Sequence, residues 1–206
     1  MVLVFLDQAD GHIKKSSFEA ACYAAKVAEM TGTTAEAVLL GTVSDDLSAT
    51  GKYGIRKVHT VADAALNTMD AQVYTKVLAQ VAEATGADVI ICSHNTSGKA
   101  VAPRLSVRLK AGLVSGAAAL PDLGNGFTVK KTVFSGKAFA NIAITSAKKI
   151  IALNPNSFDI SVTDATAEVV PFAATIDAGK ISVTETKRVT GEVSLSEAEI
   201  VVSGGR

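Results

Sequence analysis

The feature that most constrains the fold is a regular alternation between short apolar runs and longer segments with helical spacing of apolar residues. The runs MVLVFL (residues 1–6) and ADVIICSH (residues 87–94) are too short for helices and rich in branched aliphatic residues, which is typical of strands buried on both faces. Segments 16–32 and 70–86 instead carry apolar residues three or four positions apart and end at a glycine. Strands separated by helices predict an α/β fold, a three-layer sandwich whose mostly parallel sheet has helices on both faces.

Weaker signals complete the first half of the chain. Ser16 and Glu19 have the spacing of a capping box, which predicts that Ser16 is the N-cap of the first helix. The other predicted elements are strands at residues 36–42 and 57–63, a short helix or turn at residues 46–55, and a helix that carries Val101, Leu105 and Leu109 on one face.

The pattern changes after about residue 113, where strand follows strand without an intervening helix. These strands are predicted at residues 113–120, 127–134, 138–146 and 149–153. We expect them to extend the parallel sheet at one edge as a mixed or antiparallel addition. Residues 163–191 carry few strong signals and are predicted to form an extended connecting arm, so the α/β domain is expected to span residues 1–162.

Charge and composition exclude several classes of function. Lysine plus arginine and aspartate plus glutamate both number 20, so there is no excess of positive charge for a nucleic-acid backbone. Aromatic residues make up 5% of the chain, with no tryptophan, which leaves few side chains to stack on bases. The apolar start is only six residues long and is followed by Asp7, so neither a signal peptide nor a membrane span is predicted, and the protein is expected in the cytoplasm.

The cysteines and histidines show no metal-binding or catalytic pattern. Cys22 and Cys92 lie far apart, outside any C-x-x-C motif, and are predicted to be small buried hydrophobic residues. The histidines, His12, His59 and His94, are scattered over separate segments without the spacing of metal ligands. A metal site is therefore not expected, and the absence of a G-x-S-x-G motif gives no support to a hydrolase.

The polar segment with the best position for a ligand is SHNTSGKAVAPR, residues 93–104, because open parallel sheets bind ligands beyond the carboxyl ends of their strands. Ser93, Thr96, Ser97 and Gly98 offer hydroxyl and backbone N–H groups at the start of a helix, where an anion can bind. The other interpretation is an ordinary strand-to-helix turn in which serine and threonine cap the helix. The spacing of glycine and lysine does not match a P-loop.

Two arginines follow on the same predicted helix. Arg104 and Arg108 are one turn apart and share a face, where they can clamp a phosphate or a partner's carboxylates. The alternative is that this face is simply solvated.

Motifs spread along the chain carry a family resemblance. In order, they are TGADVIICSHNTSGKAVAPRLSVRLKAGLVSG, TVFSGKAFANI, NPNSF and EIVVSGGR. Together they resemble the alpha subunit of electron transfer flavoproteins over nearly the whole chain. Two positions depart from the family's usual pattern, because Lys137 stands where many members have asparagine and Asn154 where an arginine is common. No role is carried over to either position.

The resemblance implies a domain organisation and a cofactor residue. Residues 1–162 are expected to have an adenine-nucleotide alpha-hydrolase-like fold, and residues 192–206 to be the first strand of a C-terminal FAD-binding domain. Arg206 of the VSGGR motif is the FAD-contacting residue that the resemblance carries over, because a guanidinium stays charged and directs paired donors at an anionic part of the cofactor. These 206 residues alone are not expected to bind FAD.

The resemblance also implies an electron carrier rather than an enzyme. In the family, alpha and beta subunits form a heterodimer, whose FAD takes electrons from primary dehydrogenases such as acyl-CoA dehydrogenases and passes them to a quinone oxidoreductase. The N-terminal domain of the alpha subunit is expected to be a scaffold that pairs with the beta subunit.

The alternative function is an AMP- or ATP-binding module of the same fold superfamily. In this interpretation, residues 94–98 and the ends of the first two strands hold the nucleotide. The AMP site of the flavoprotein family belongs to the beta subunit, so the resemblance implies that this chain binds no nucleotide.

Overall fold

The computed structural model describes residues 1–124, 126–181, 183–185 and 200–205. Its strands are β1 (Val2–Leu6), β2 (Gln8–Ala9), β3 (His12–Ile13), β4 (Ala35–Leu40), β5 (Lys57–Val61), β6 (Val89–Ser93), β7 (Gly112–Ala117), β8 (Thr128–Val133), β9 (Ala138–Ala143), β10 (Lys149–Leu153) and β11 (Glu168–Pro171). Its α-helices are α1 (Lys15–Met30), α2 (Ala71–Ala84) and α3 (Thr96–Leu109), and its 3₁₀ turns are Leu47–Tyr53 and Ala64–Leu66.

Within the described ranges, nine of the strands form one sheet in the order β11-β5-β4-β1-β6-β10-β7-β8-β9. The strands from β11 to β7 are parallel, and β8 and β9 form an antiparallel hairpin at one edge. This arrangement confirms the predicted α/β class with a mixed extension. In the same ranges, no helix combines the length and the apolar character needed to cross a membrane.

The sheet separates two apolar cores. Along β1, Val2, Val4 and Leu6 face one core together with α1, whereas Leu3 and Phe5 face the other core together with α2 and α3. Each of these five side chains is almost fully buried. Because both faces of the strand are covered, the continuous apolar run at the start of the chain folds as a central parallel strand.

The place of β10 among the added strands follows from its burial. The sequence predicts that residues 149–153 belong to the strands that extend the parallel sheet at one edge, and β10 is the first of these strands, between β6 and β7 and parallel to both. The physical reason is burial, since Ile150 faces the α2–α3 core, Ile151 faces the α1 core, and both are fully buried. Only β8 and β9 form the antiparallel extension in the described part of the chain.

The predicted capping box at Ser16 and Glu19 is wrong. The N-cap residue is Lys14, two residues earlier than predicted, the helix begins at Lys15, and the Lys14 side chain makes no capping hydrogen bond. Glu19 instead accepts a hydrogen bond from the backbone N–H of Asn156 at 2.7 Å. A long-range contact has therefore replaced the local one that the spacing suggests.

The segment predicted as a connecting arm contains a strand and a strap. Strand β11 pairs in parallel with β5 at the edge of the sheet opposite the hairpin. Beyond it, Phe172 and Ile176 pack against the α2–α3 core, and the Gln80 amide on α2 makes two hydrogen bonds with the backbone of Thr175, at 2.9 and 2.8 Å. Residues 172–181, which we call the strap, are thus held along α2.

Replacing Gln80 by alanine should loosen the strap. The substitution removes both hydrogen bonds to Thr175, which lowers the local stability by roughly 1–3 kcal/mol. We expect trypsin to cleave faster after Lys180, and mass spectrometry of the digest measures the rate of this cleavage. Gln72→Ala, at an exposed position of the same helix, is the matched control and should cleave like the wild type. Equal cleavage of Gln80→Ala and wild type contradicts the assigned role of Gln80.

Candidate functional site

A cleft of ≈ 320 Å³ opens at the carboxyl edge of the parallel sheet. Three segments line it, namely the start of α1, the turn from β6 into α3, and the loop after β10. The cleft therefore lies where open parallel sheets bind their ligands. It includes His94 and Thr96 from the polar segment that the sequence indicates.

A buried carboxylate at the end of β1 fixes two walls of the cleft. The Asp7 carboxylate accepts hydrogen bonds from Lys14 Nζ at 2.7 Å and from Asn95 Nδ2 at 2.8 Å. The Ser17 hydroxyl donates to the Asp7 carbonyl at 3.0 Å and accepts from the Asp7 N–H at 2.8 Å. Asp7 thus joins β1 to the starts of α1 and α3.

The start of α3 is capped by Asn95, so the prediction that serine and threonine supply the cap is wrong. The Asn95 side-chain oxygen accepts from the Gly98 N–H at 3.0 Å, which satisfies one N–H of the first helical turn. Gly98 packs tightly against β6, because a Cβ added there would lie 1.9 Å from the Ser93 carbonyl oxygen. The buried Ser93 hydroxyl has no hydrogen-bond partner among the described residues.

On the β10 side, His94 and Asn154 meet across the sheet edge. His94 Nδ1 lies 3.2 Å from the Asn154 side-chain oxygen, and the Asn154 amide donates to the Gly116 carbonyl at 3.2 Å. Burial lowers the pKa of His94, as do the positive charges of Lys99 and Lys131, while the bond to Asn154 acts in the opposite direction. His94 is therefore a neutral imidazole at pH 7.

Glu19 is the carboxylate in the wall of the cleft, and only 4% of the residue is exposed. Burial raises its pKa above the ordinary value of 4.5, whereas the Asn156 N–H and the charge of Lys15 lower it. The cost of desolvation dominates, so the folded state favours the protonated form more than the unfolded chain does.

The structure brings together only part of the residues that the sequence singles out. His94 and Thr96 line the cleft, whereas Ser97 and Gly98 are buried and are not among its lining residues. Arg104 and Arg108 are exposed on α3, outside the cleft, as expected for a solvated face. The sequence reasoning missed Asp7, Lys14, Lys15 and Asn154, although Asp7 directly follows the first strand, where a parallel sheet presents its ligand edge.

The other residues that the sequence singles out are the two cysteines, the types that ligate metals, and Arg206. Cys22 and Cys92 are free and buried, as predicted. No group of three or more histidine, cysteine, aspartate or glutamate residues in the described ranges is arranged to hold a metal ion. Arg206, the residue implied to contact FAD, lies outside the described residues, as do residues 192–199 of the predicted second domain. Residues 200–205 are exposed and pair with no described strand.

A second candidate surface lies on the β8–β9 hairpin, far from the strap in the strand order. We call it the hairpin surface and define it by Phe134, Phe139, Lys130 and Lys137. Phe134 is 79% exposed and Phe139 60% exposed, and Lys130 Nζ lies 4.1 Å from the centre of the Phe139 ring. Residues 126–153 contain five lysines and no acidic residue. The surface is therefore both aromatic and basic.

The fold and the cleft define a three-layer α/β domain with a ligand-sized opening at the carboxyl edge of its sheet. The electron transfer flavoprotein domain family matches residues 2–185, and the chain belongs to that family. The chain is also similar to the electron transfer flavoprotein subunit alpha of Bacillus subtilis, with 30% identity over 217 residues that cover 100% of this chain and 64% of the relative.

Two other relatives agree with this assignment. The electron transfer flavoprotein subunit alpha of Syntrophomonas wolfei is 26% identical over 98% of this chain and 64% of its own length. Protein FixB of Clostridium saccharobutylicum is 27% identical over 100% of this chain and 64% of its own length. The chain thus spans 64% of the length of these relatives, and its similarity to them supports membership of the alpha-subunit family.

Replacing Glu19 by glutamine should stabilise the fold at neutral pH. Glutamine keeps an acceptor for the Asn156 N–H but removes the charge whose burial is unfavourable. A raised folded-state pKa means that wild-type stability falls as pH rises from 4.5 through that pKa, so the variant should unfold a few degrees higher at pH 7. The difference in unfolding temperature between the variant and the wild type should shrink as pH falls and disappear below pH 4.5.

Thermal unfolding at pH 7 and pH 4 measures this difference. Glu29→Gln is the matched control, because Glu29 is an exposed carboxylate on the same helix, 2.7 Å from Lys26 Nζ. It should change the midpoint little at either pH, as expected of a surface ion pair. A lower midpoint for Glu19→Gln at pH 7 contradicts the account of Glu19.

Proposed function

We propose that this chain acts as the N-terminal scaffold of an electron transfer flavoprotein alpha subunit and pairs with the beta subunit through the hairpin surface. The complex is an FAD electron carrier, not an enzyme with its own substrate. It takes electrons from primary dehydrogenases, such as acyl-CoA dehydrogenases, and passes them to a quinone oxidoreductase. Membership of the alpha-subunit family supports this role.

The observation that carries the pairing proposal is the exposure of Phe134 and Phe139 on an edge hairpin. Aromatic side chains are enriched at the centres of protein interfaces, and edge strands in monomeric proteins are usually protected against pairing. The outer side of β9 has no neighbouring strand in the described part of the sheet. A partner that covers the hairpin surface buries both rings, and acidic side chains on the partner pair with the lysines.

The cleft is a poor match for FAD. Its volume of ≈ 320 Å³ lies at the low end of the roughly 300–1,000 Å³ of small-molecule sites, and its described lining includes no Phe, Tyr or Trp. We therefore assign the flavin to the complex and not to the described domain. Arg206 is the proposed contact to the cofactor, since its guanidinium can pair with an anionic part of FAD.

The domain division follows the same proposal. Residues 1–162 form the scaffold, residues 163–191 the connecting arm, and residues 192–206 the start of the flavin-binding part. The strap supports this role for the arm, because its contacts with α2 fix the direction in which the chain leaves the scaffold.

A binding measurement with a beta subunit from the same organism tests the pairing. The double variant Phe134→Ser, Phe139→Ser should bind at least tenfold more weakly, because each exposed aromatic anchor contributes more than about 1 kcal/mol at a typical interface. Calorimetric titration gives the dissociation constants, and circular dichroism verifies that the variant is folded.

Val107→Ser is the matched control for this experiment. Val107 is 81% exposed on α3, so its replacement removes an exposed apolar side chain that lies outside the hairpin surface. It should leave the affinity unchanged. Absence of binding by the wild type, or equal losses in the control and the double variant, contradicts pairing through the hairpin surface.

A further inference from the structure

We propose that the beta subunit presents an acidic surface and that long-range attraction to one positively charged half of this domain guides it onto the hairpin surface. The inference rests on the proposed pairing and adds to it the charge of the partner and the step of binding at which that charge acts. It follows from the distribution of charge in a chain whose formal net charge is zero.

Charge is divided unequally along the sequence. Residues 93–153 contain nine lysines and arginines and one acidic residue, Asp122, which gives a formal charge of +8. Residues 1–92 and 154–185 together contain eight basic and 16 acidic residues, which gives a formal charge of −8. We call residues 93–153 the basic half and the other two ranges the acidic half. The zero net charge of the chain therefore conceals two large and opposite charges.

The fold keeps the two charges apart in space. The strands of the basic half, β10, β7, β8 and β9, occupy consecutive places at one end of the sheet, and the remaining places are filled by strands of the acidic half. Helix α3 packs on β6, β10 and β7, so it adds its cations at the same end of the sheet. The domain therefore has a positive end, which carries the hairpin, and a negative end.

The cations of the basic half are not neutralised within the domain. In the described ranges, the ion pairs join groups of the acidic half to each other, as Lys57 with Glu168, and none of them includes a cation of the basic half. Six of the nine cations are exposed, namely Lys99, Arg104, Arg108, Lys110, Lys130 and Lys137. Their charge is therefore available to attract an acidic partner.

The position of the hairpin surface within the basic half favours a protein as this partner. The exposed rings of Phe134 and Phe139 lie among the cations, and two further cations, Arg104 and Arg108, lie outside the hairpin surface on α3. A partner that docks on the rings thus approaches through a positive field. A long polyanion fits less well, because it also meets the acidic half, and the chain has no tryptophan to stack on bases.

The size of the basic half determines the ionic strength at which it acts. Neighbouring strands lie about 4.8 Å apart, so its four strands span roughly 15 Å. This span is shorter than the Debye length of about 30 Å at 0.01 M ionic strength and longer than that of about 3 Å at 1 M. The cations therefore act together only at low ionic strength. Such steering raises the association rate constant kon, whereas contacts in the interface determine the dissociation rate constant koff.

Stopped-flow measurement of association with a beta subunit from the same organism, at ionic strengths of about 0.01, 0.1 and 1 M, tests the inference. The wild-type kon should fall at least about tenfold from the lowest to the highest ionic strength. The double variant Arg104→Gln, Arg108→Gln should lower kon about three- to tenfold at the lowest ionic strength and leave koff unchanged, because neither arginine lies in the hairpin surface. Circular dichroism verifies that the variant is folded.

The matched control is the double variant Lys52→Gln, Arg56→Gln. Both residues are exposed in the acidic half, so the control removes the same charge from the other end of the domain. Its kon should stay within about twofold of the wild-type value at every ionic strength. Equal losses in the control and the arginine variant overturn the inference, because the effect then belongs to the net charge of the chain.

The double variant Phe134→Ser, Phe139→Ser separates this inference from the pairing itself. It should raise koff and leave the dependence of kon on ionic strength intact. A wild-type kon that is independent of ionic strength overturns the steering, while the pairing stands if the phenylalanine variant still dissociates faster. Unchanged binding of the phenylalanine variant contradicts the pairing surface, and absence of any complex contradicts both proposals. Tighter binding of a DNA oligonucleotide than of the beta subunit assigns the basic half to a nucleic acid and also overturns the inference.

Discussion

The fold depends on the burial of β1 on both faces. Its side chains alternate between the α1 core and the α2–α3 core, and its neighbours β4 and β6 are parallel to it. Parallel strands share one carboxyl edge, so the residues that follow β1 and β6 meet there. Asp7 and Asn95 are hydrogen-bonded at that edge, and this contact aligns the starts of two helices around the cleft.

The elements that the sequence predicts correctly are those with a strong local pattern. The helix α2 repeats Val73, Val77 and Val81 every four residues, and all three side chains are buried. The run that forms β1 is apolar at every position and the run that forms β6 at every position but its last, Ser93, as expected of strands covered on both faces. In such segments, the periodicity of the sequence predicts the same element type and the same buried faces that the structure shows.

Other features depend on contacts between distant residues and carry no local signal. The apolar pattern of β10 shows that it is buried but not which strands flank it, because the hairpin β8–β9 returns the chain to the centre of the sheet. Strand β11 is only four residues long and ends in Pro171, so its pairing with β5 could not be predicted from composition. The polar segment at residues 93–104 indicated the correct edge, but the partners Asp7, Glu19 and Asn154 come from other parts of the chain.

We propose that the beta subunit covers the hairpin surface, while the sheet and its helices serve as scaffold. Hydrogen exchange of the chain, with and without a saturating beta subunit, tests this claim most directly. The account predicts increased amide protection in residues 128–143, with unchanged exchange along α2. Protection concentrated on α2 and α3, with no change in the hairpin of a chain that is demonstrably bound, would contradict it.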